Sequence, residues 1–367
     1  MRVRAACGGF ALAASSGWNL ANVGAVASRT ASAYGVGLAV VGLFTTALVL
    51  THAAMQLPAG RLCDRYGPRV VGAAGLVVIT LASLAGLPAH AVWLAIVARL
   101  VAGVGLGAAF VGGADYMRAT LGTPLAQGLY GAVSMASAGA ALALVPLWPG
   151  WRAPFATAAL VALVGLVVVS FAPREERRVI LGVRPGVLDR RLVPLGVMHA
   201  ASFGLSVVLG NWVGTLLERA GGQSSHVAGV VGGLVLFLGI VSRPLGGRLV
   251  GNTRVIAASY IAGAAGILLL AVARPLPVAI LGATIVGLTA GIPFAAAFAG
   301  AQRLRPDAPA SAVGLVNLAA TIVILVGTPL LGLTFSLPGG GRVGFAIAAA
   351  FCVTATFAVR NLHRLHA

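Results

Sequence analysis

Charged residues are scarce in this sequence, and one basic residue type is missing altogether. Only 9% of the 367 residues are charged, all 25 basic residues are arginine, and aspartate and glutamate together number 7. A soluble domain carries roughly 25% charged residues, so this composition excludes an ordinary soluble protein. The three cysteines, Cys7, Cys63 and Cys352, are too few and too scattered to predict a disulfide framework or a metal site.

Apolar residues are abundant instead. They make up 59% of the chain, and the mean hydropathy is +1.00. The net charge of +18 would favour a nucleic-acid partner if the basic residues clustered on one solvated face, but here they separate apolar runs. The composition therefore predicts an integral membrane protein with no nucleic-acid partner, and the arginine, alanine and glycine bias is typical of a high-GC bacterium.

A helix that crosses a bilayer needs about 20 mostly apolar residues, and the sequence contains twelve such runs. The predicted spans are 6–27, 35–58, 70–88, 91–114, 125–147, 154–172, 192–217, 226–247, 255–273, 278–300, 312–333 and 343–360. With a cytoplasmic N-terminus, the inner segments hold 18 arginines and the outer segments 5, which agrees with the positive-inside rule. We therefore expect a multi-pass protein of the bacterial cytoplasmic membrane with both termini inside. A cleaved signal peptide is the alternative for the first span.

An internal repeat relates the two halves at a shift of about 185 residues. Matching positions include Gly60-Arg61-Leu62 with 247–249, Gly103, Gly107 and Phe110 with 287, 291 and 294, and Gly128-Leu129 with 314–315. Six spans are an even number, so both copies have the same orientation. The repeat predicts an N-terminal six-helix bundle over 1–172, a cytoplasmic linker over 173–191 and a C-terminal six-helix bundle over 192–367.

The segment "GRLCDRYGPR" at 60–69 resembles the signature loop of the major facilitator superfamily, Gly-x-Leu-x-Asp-Arg-x-Gly-x-Arg, at every specified position. "GWRAPF" at 150–155 and "SRPLGGRL" at 242–249 are similar to further motifs of that family. The resemblance implies an all-α membrane fold of twelve transmembrane helices in two pseudo-symmetric six-helix bundles. It also implies a secondary transporter, a symporter or antiporter, that works by alternating access.

In that family the loop helps to latch the outward-facing state. The resemblance implies this role for Gly60, Asp64, Arg65 and Arg69, and Asp115 is a plausible counter-charge for the loop arginines. The alternative, that the arginines only anchor topology, leaves Asp64 unexplained. The second-half copy has Gly251 in place of Asp64, so we expect an asymmetric latch.

Two arginines lie inside predicted spans, although a central arginine costs about 2.5 to 3.5 kcal/mol on insertion scales. They are Arg99 and Arg243, and no predicted span contains an acidic residue to pair with them. Cationic groups that face a cavity favour an anionic substrate. The alternatives are hydrogen bonding of Arg99 to backbone carbonyls and extension of Arg243 towards the inner surface.

Further polar residues within the spans are candidates for proton coupling and for substrate binding. A histidine side chain ordinarily titrates near neutral pH, so His52 and His199 are candidates to carry a proton in place of a carboxylate, although a lone membrane histidine is more often hydrogen-bonded across helices. The predicted substrate-binding set is Asn19, His52, Gln56, Arg99, Tyr130, Asn211, Arg243 and Asn317.

"SRPLGG" also resembles nitrate, nitrite and cyanate porters, in which an arginine at this place contacts the anion, but Gln56 stands where nitrate porters have another arginine. The predicted function is transport of a small anionic solute, with a coupling proton as an option. Export of hydrophobic or cationic compounds is the alternative. Neither paired intramembrane carboxylates nor a His-Glu-x-x-His helix occurs, so an enzyme is not expected. No cofactor is implied, the expected partners are the solute and membrane lipid, and we expect a monomer.

Overall fold

The computed structural model describes residues 2–175, 189–272 and 275–366, and all the regular structure in these ranges is helical. The first half of the chain forms α1 (Arg2–Ala21), α2 (Ala27–Tyr34), α3 (Leu38–Tyr66), α4 (Pro68–Gly86), α5 (Val92–Leu121), α6 (Pro124–Leu144) and α7 (Ala153–Phe171). The second half forms α8 (Val193–His199), α9 (Leu205–Arg219), α10 (Ser225–Phe237), α11 (Gly239–Arg248), α12 (Thr253–Val272), α13 (Leu276–Ala290), α14 (Ile292–Leu304), α15 (Pro309–Leu333) and α16 (Arg342–His366). Most of the predicted linker 173–191 lies outside the described residues.

Eleven helical segments of the described ranges are long and apolar enough to cross a membrane, by length and composition. They correspond to eleven of the predicted spans. The first predicted span corresponds to α1, which is 20 residues long but carries Arg2 and Arg4 at its start and several polar residues near its end. The all-helical membrane fold is confirmed.

Three predicted spans are interrupted near their middle in the structure. The seventh contains a π-helix, Ala200–Gly204, between α8 and α9, the eighth is divided between α10 and α11, and the tenth is divided between α13 and α14. In the tenth, Pro293 has no backbone N–H and cannot continue the hydrogen bonds of α13. Hydropathy alone does not detect such breaks, because the residues remain apolar throughout.

The chain forms two compact units. The first comprises residues 1–126, 133–187 and 305–314, and the second comprises 127–132, 188–304 and 315–367. Residues 127–132 of α6 therefore belong to the second unit, and residues 309–314 of α15 belong to the first. A buried cluster that includes Leu12, Leu76 and Leu106 forms part of the core of the first unit, and Phe298 and Phe345 are fully buried in the second.

Repeat-related glycines allow close helix packing in each unit. A Cβ at Gly107 would lie 2.6 Å from Cβ of Met55 on α3, and a Cβ at Gly287 would lie 2.9 Å from Cβ of Leu238 beside α10. Gly229 and Gly233 have the same small-xxx-small spacing, but no atom lies within 4 Å of a Cβ built on either. Spacing alone therefore does not identify a packed pair.

Candidate functional site

The signature loop lies at the end of α3, where Asp64 caps a second helix. The Asp64 carboxylate accepts hydrogen bonds from the backbone N–H groups of Ala310 and Ser311, both at 3.0 Å, and from the Ser311 hydroxyl. These groups belong to the first turn of α15, which has Pro309 at its first position. A carboxylate is favoured at a helix N-terminus because it accepts from unpaired N–H groups and opposes the helix dipole.

Gly60 lies one turn before Asp64 and allows this approach. A Cβ at Gly60 would lie 2.8 Å from the Ala310 carbonyl oxygen and equally close to the Ser311 nitrogen. The glycine and the aspartate of the motif therefore act on one target, the N-terminus of α15.

The arginines of the loop differ in their surroundings. Arg69 donates from Nε to the Val169 carbonyl at 3.0 Å and from Nη2 to the Ser170 carbonyl at 2.6 Å, so it pairs with the last carbonyls of α7. Its backbone N–H donates to the Glu175 carboxylate at 3.4 Å. Arg65 is exposed and lies over the ring of Tyr66, with 5.1 Å from Cζ to the ring centroid.

Asp115 does not pair with the loop arginines, contrary to the prediction. Its ion-pair partner is Arg118, one turn further along α5, where helical geometry places residues three positions apart side by side. Asp115 lies within α5, because this helix continues to Leu121, and its side chain is buried. Asp64 likewise lies within α3, so the helices contain acidic residues that the shorter predicted spans excluded.

Arg99 is buried in the first unit and hydrogen-bonded to protein carbonyls. Nη2 donates to the Asn19 backbone carbonyl at 2.7 Å, Nη1 to the Asn19 side-chain oxygen at 3.3 Å and Nε to the Phe44 carbonyl at 3.4 Å. The guanidinium thus joins α1 and α3 to α5. Asn19 in turn donates to the Ser15 carbonyl at 3.0 Å.

His52 and Gln56 form a second polar pair of the first unit. Gln56 Nε2 lies 2.9 Å from His52 Nε2, and the His52 ring packs edge-on against Phe110 of α5 with 5.7 Å between centroids. Both side chains are buried, and Gln56 Oε1 has no hydrogen-bond partner among the described residues.

Arg243 is the buried arginine of the second unit, and its surroundings are mainly aromatic. Its Cζ lies 4.5 Å from the Phe294 ring centroid and 5.1 Å from that of Phe203, both within cation–π range. Nη1 donates to the Gly131 carbonyl of α6 at 2.9 Å. The three ion pairs of the described residues are Arg118–Asp115, Arg191–Asp189 and Arg305–Asp307, so Arg243 has no carboxylate partner there.

His199 and Asn317 lie beside the same aromatic cluster. The His199 ring is 5.4 Å from Phe294 and 4.8 Å from Phe298, and its Nε2 lies 3.0 Å from Asn317 Oδ1. Because that oxygen only accepts, Nε2 carries the proton and Nδ1 is an acceptor. Among the described residues, His199 Nδ1 and Asn317 Nδ2 are buried without hydrogen-bond partners.

Tyr130 and Asn211 complete the predicted set and differ in burial. Tyr130 is fully buried, next to Gly131. Asn211 is exposed on α9 and has none of the contacts of the Arg243 cluster. Contacts between predicted residues therefore form three pairs, which are Asn19 with Arg99, His52 with Gln56, and His199 with Asn317.

Several residues that contact the predicted site residues were not predicted from the sequence. Ser311 was detectable in principle, because "DAPAS" at 307–311 has the pattern of a helix start with proline at the first position. Phe294 was visible only as the repeat equivalent of Phe110. Phe203, Gly131 and Glu175 have no local signal, since tertiary packing alone defines their contacts.

An all-helical fold with membrane-length helices and polar side chains buried inside them defines the class of the protein as a multi-pass membrane protein with a polar interior. The family model described as Major Facilitator Superfamily matches residues 9–209, more than half of the chain, and the chain belongs to that family.

Solved structures of transporters support the same fold over almost the whole chain. The human organic anion transporter MFSD10 superposes with a TM-score of 0.74 at 17% identity, covering 98% of this chain and 99% of that one. The E. coli fucose:proton symporter FucP gives 0.74 at 15% identity, with 96% and 97% covered. The proton:xylose symporter XylE gives 0.78 at 13% identity, with 97% and 93% covered.

An uncharacterised MFS-type transporter of Mycobacterium tuberculosis is 48% identical over 73 residues. This stretch covers 20% of the present chain and 12% of that relative's length, so the similarity is local.

Proposed function

We propose that this secondary transporter moves a small anionic solute by alternating access and that Arg243 binds the anion. The observation that carries the proposal is a buried guanidinium without a carboxylate partner among the described residues. A buried charge is costly unless it is paired, and an anionic substrate would supply the missing charge.

Neighbouring polar groups support an oxyanion as the ligand. Asn317 Nδ2 is a buried donor without a partner, and His199 Nδ1 is a buried acceptor without one. Both side chains lie in the same cluster as Phe294, which Arg243 also contacts. In this proposal Arg243 and Asn317 donate to the anion, and His199 takes up a proton that accompanies it.

Arg99 is a less suitable ligand for the anion. All three of its nitrogens already donate to protein oxygens on α1 and α3. We therefore assign Arg99 a positioning role in the first unit. The amide–imidazole pair of His52 and Gln56 stays a candidate for substrate contact, because Gln56 Oε1 has no partner among the described residues.

The capping of α15 by Asp64 supports the latch role inferred from the signature loop. Capping hydrogen bonds are worth about 0.5–2 kcal/mol, strong enough to favour one conformation and weak enough to break during transport. We further propose that both termini are cytoplasmic, that the chain divides at the linker 173–191, and that the latch forms when the cytoplasmic side is closed.

A thermal-shift screen of the detergent-purified protein tests the anion proposal. Nitrate, nitrite, cyanate, formate and acetate are compared with lipophilic cations between pH 5.5 and 8, since a ligand that binds only the native state raises Tm. We expect at least one anion to raise Tm of the wild type and to have no effect on Arg243→Gln. Equal shifts in both proteins would rule out Arg243 as the binding group.

Export of hydrophobic or cationic compounds is the second candidate. The aromatic rings of Phe203, Phe294 and Phe298 favour an apolar ligand, whereas the charge of Arg243 opposes a cationic one. Stabilisation by lipophilic cations alone in the same screen would favour this function over anion transport.

A further inference from the structure

The guanidinium of Arg243 is already engaged by the protein backbone in this conformation. Its Nη1 donates to the Gly131 carbonyl of α6 at 2.9 Å, and residues 127–132 of α6 belong to the same compact unit as α11. The acceptor is a neutral peptide oxygen, and an oxyanion that bound to Nη1 would need the same N–H donor.

Two glycines permit this contact. A Cβ at Gly131 would lie 2.7 Å from the Phe294 ring and 3.0 Å from Cδ of Arg243. One turn earlier, a Cβ at Gly128 would meet the backbone carbonyl of Arg243 and lie 3.1 Å from Cα of Pro244. A larger residue at position 128 would meet backbone atoms of α11 and push residues 127–132 away from that helix, and one at position 131 would press on the Phe294 ring and on the Arg243 side chain.

A charged acceptor binds a guanidinium about twice as strongly as a neutral one, so an oxyanion at Nη1 would outcompete the carbonyl. We propose that the substrate oxyanion and the Gly131 carbonyl compete for Nη1 of Arg243, so that anion binding detaches residues 127–132 of α6 from α11. This inference rests on the proposed function. It assigns Gly128 and Gly131 a role in coupling binding to helix movement.

The competition has a thermodynamic consequence. Only the fraction of empty protein in which Nη1 is free of the Gly131 carbonyl is competent to bind, so the apparent Kd equals the intrinsic Kd divided by that fraction. Weakening the α6 contact must then tighten anion binding. A purely structural role for the two glycines predicts the opposite, because a distorted site binds less well.

The test is titration of the full-length purified protein with nitrate, nitrite, cyanate, formate and acetate, followed by thermal shift. We expect Gly131→Ala and Gly128→Ala each to lower Kd about fivefold, the size expected for loss of one hydrogen bond. Gly229→Ala is the matched control, since no atom lies within 4 Å of a Cβ there, and its Kd should equal that of the wild type. Gly128→Ala does not rely on a clash with Phe294, so it keeps the test usable if Gly131→Ala does not fold.

Hydrogen exchange of the wild type gives a measurement without a variant: saturating anion should increase exchange in residues 127–132. Unchanged or weaker binding in both glycine variants, or unchanged exchange, would overturn the competition while leaving the anion proposal intact, provided that Arg243→Gln abolishes binding. Undiminished binding in Arg243→Gln would instead overturn the proposed function. If no probe binds the wild type or either variant, both proposals fail.

Discussion

At the residue scale, the two buried arginines differ in the groups that stabilise their charge. Arg99 makes three hydrogen bonds to Asn19 and Phe44 and so satisfies its nitrogens within the protein. Among the described residues, Arg243 makes one hydrogen bond, to Gly131, and contacts two aromatic rings. The first arrangement suits a structural cation, whereas the second leaves donor capacity for a ligand.

Arg99→Gln should therefore destabilise the protein without changing its response to anions. The variant loses hydrogen bonds from a charged donor and leaves the buried Asn19 carbonyl without a partner, at a cost of about 1–3 kcal/mol. We expect a lower Tm in detergent but a wild-type Tm increase with saturating anion. Arg29→Gln is the control, because exposed Arg29 also donates to two carbonyls and its loss should change Tm little. Loss of the anion response in Arg99→Gln would show that Arg99 contributes to binding.

At the element scale, charged side chains of α3 and α4 cap the ends of other helices. Asp64 of α3 pairs with the N–H groups at the start of α15, and Arg69 of α4 pairs with the carbonyls at the end of α7. Each charge has the sign that the helix dipole favours. The charged side chains of the signature loop thus compensate the partial charges at the start of α15 and at the end of α7.

Removal of the Asp64 cap should lower stability in a graded way. Asp64→Asn keeps an acceptor for the N–H groups of α15, whereas Asp64→Ala removes it at a cost of about 1–2 kcal/mol. We expect Tm to fall in the order wild type, Asp64→Asn, Asp64→Ala.

Asp307→Asn is a matched control for this series. Asp307 precedes the same helix, and its ion pair with Arg305 is half-exposed, so its loss should be nearly neutral. Equal Tm values for Asp64→Ala and Asp307→Asn would contradict the capping role.

At the scale of the whole molecule, the internal repeat is preserved in packing and has diverged in chemistry. Gly107 and Gly291 occupy matching positions and both approach a neighbouring helix closely. Phe110 and Phe294 also match, but Phe110 packs against His52 whereas Phe294 packs against Arg243. The duplicated scaffold therefore carries two different polar clusters.

The predicted orientation can be tested by labelling of single cysteines in cells. In a variant lacking the three native cysteines, Leu337→Cys lies in the segment between α15 and α16, which is predicted to be outside, and Gly251→Cys lies between α11 and α12, which is predicted to be inside. Both positions are exposed. We expect a membrane-impermeant maleimide to label Leu337→Cys in intact cells and Gly251→Cys only after permeabilisation. The reverse pattern would invert the topology.

Most of the fold was predictable because a helix that crosses a membrane must be long and apolar. Eleven predicted spans correspond to candidate membrane helices, usually within a few residues at the ends. The errors have local causes: α3 and α5 continue past the predicted ends to Tyr66 and Leu121, because hydropathy falls before the helix stops. The breaks near Leu238 and Gly291 were missed for the opposite reason, since the chain stays apolar where the helix is interrupted.

The sequence by itself determined the class of the protein, because composition, span length and the "GRLCDRYGPR" loop are properties of consecutive residues. It also identified Arg99 and Arg243 as unusual, since a charge within an apolar run is visible without coordinates. Only the tertiary structure decided that Arg99 bonds to Asn19 and that Arg243 lies between aromatic rings and the Gly131 carbonyl. The physical reason is that these partners are distant in sequence, so helix packing alone determines which oxygen meets which cation.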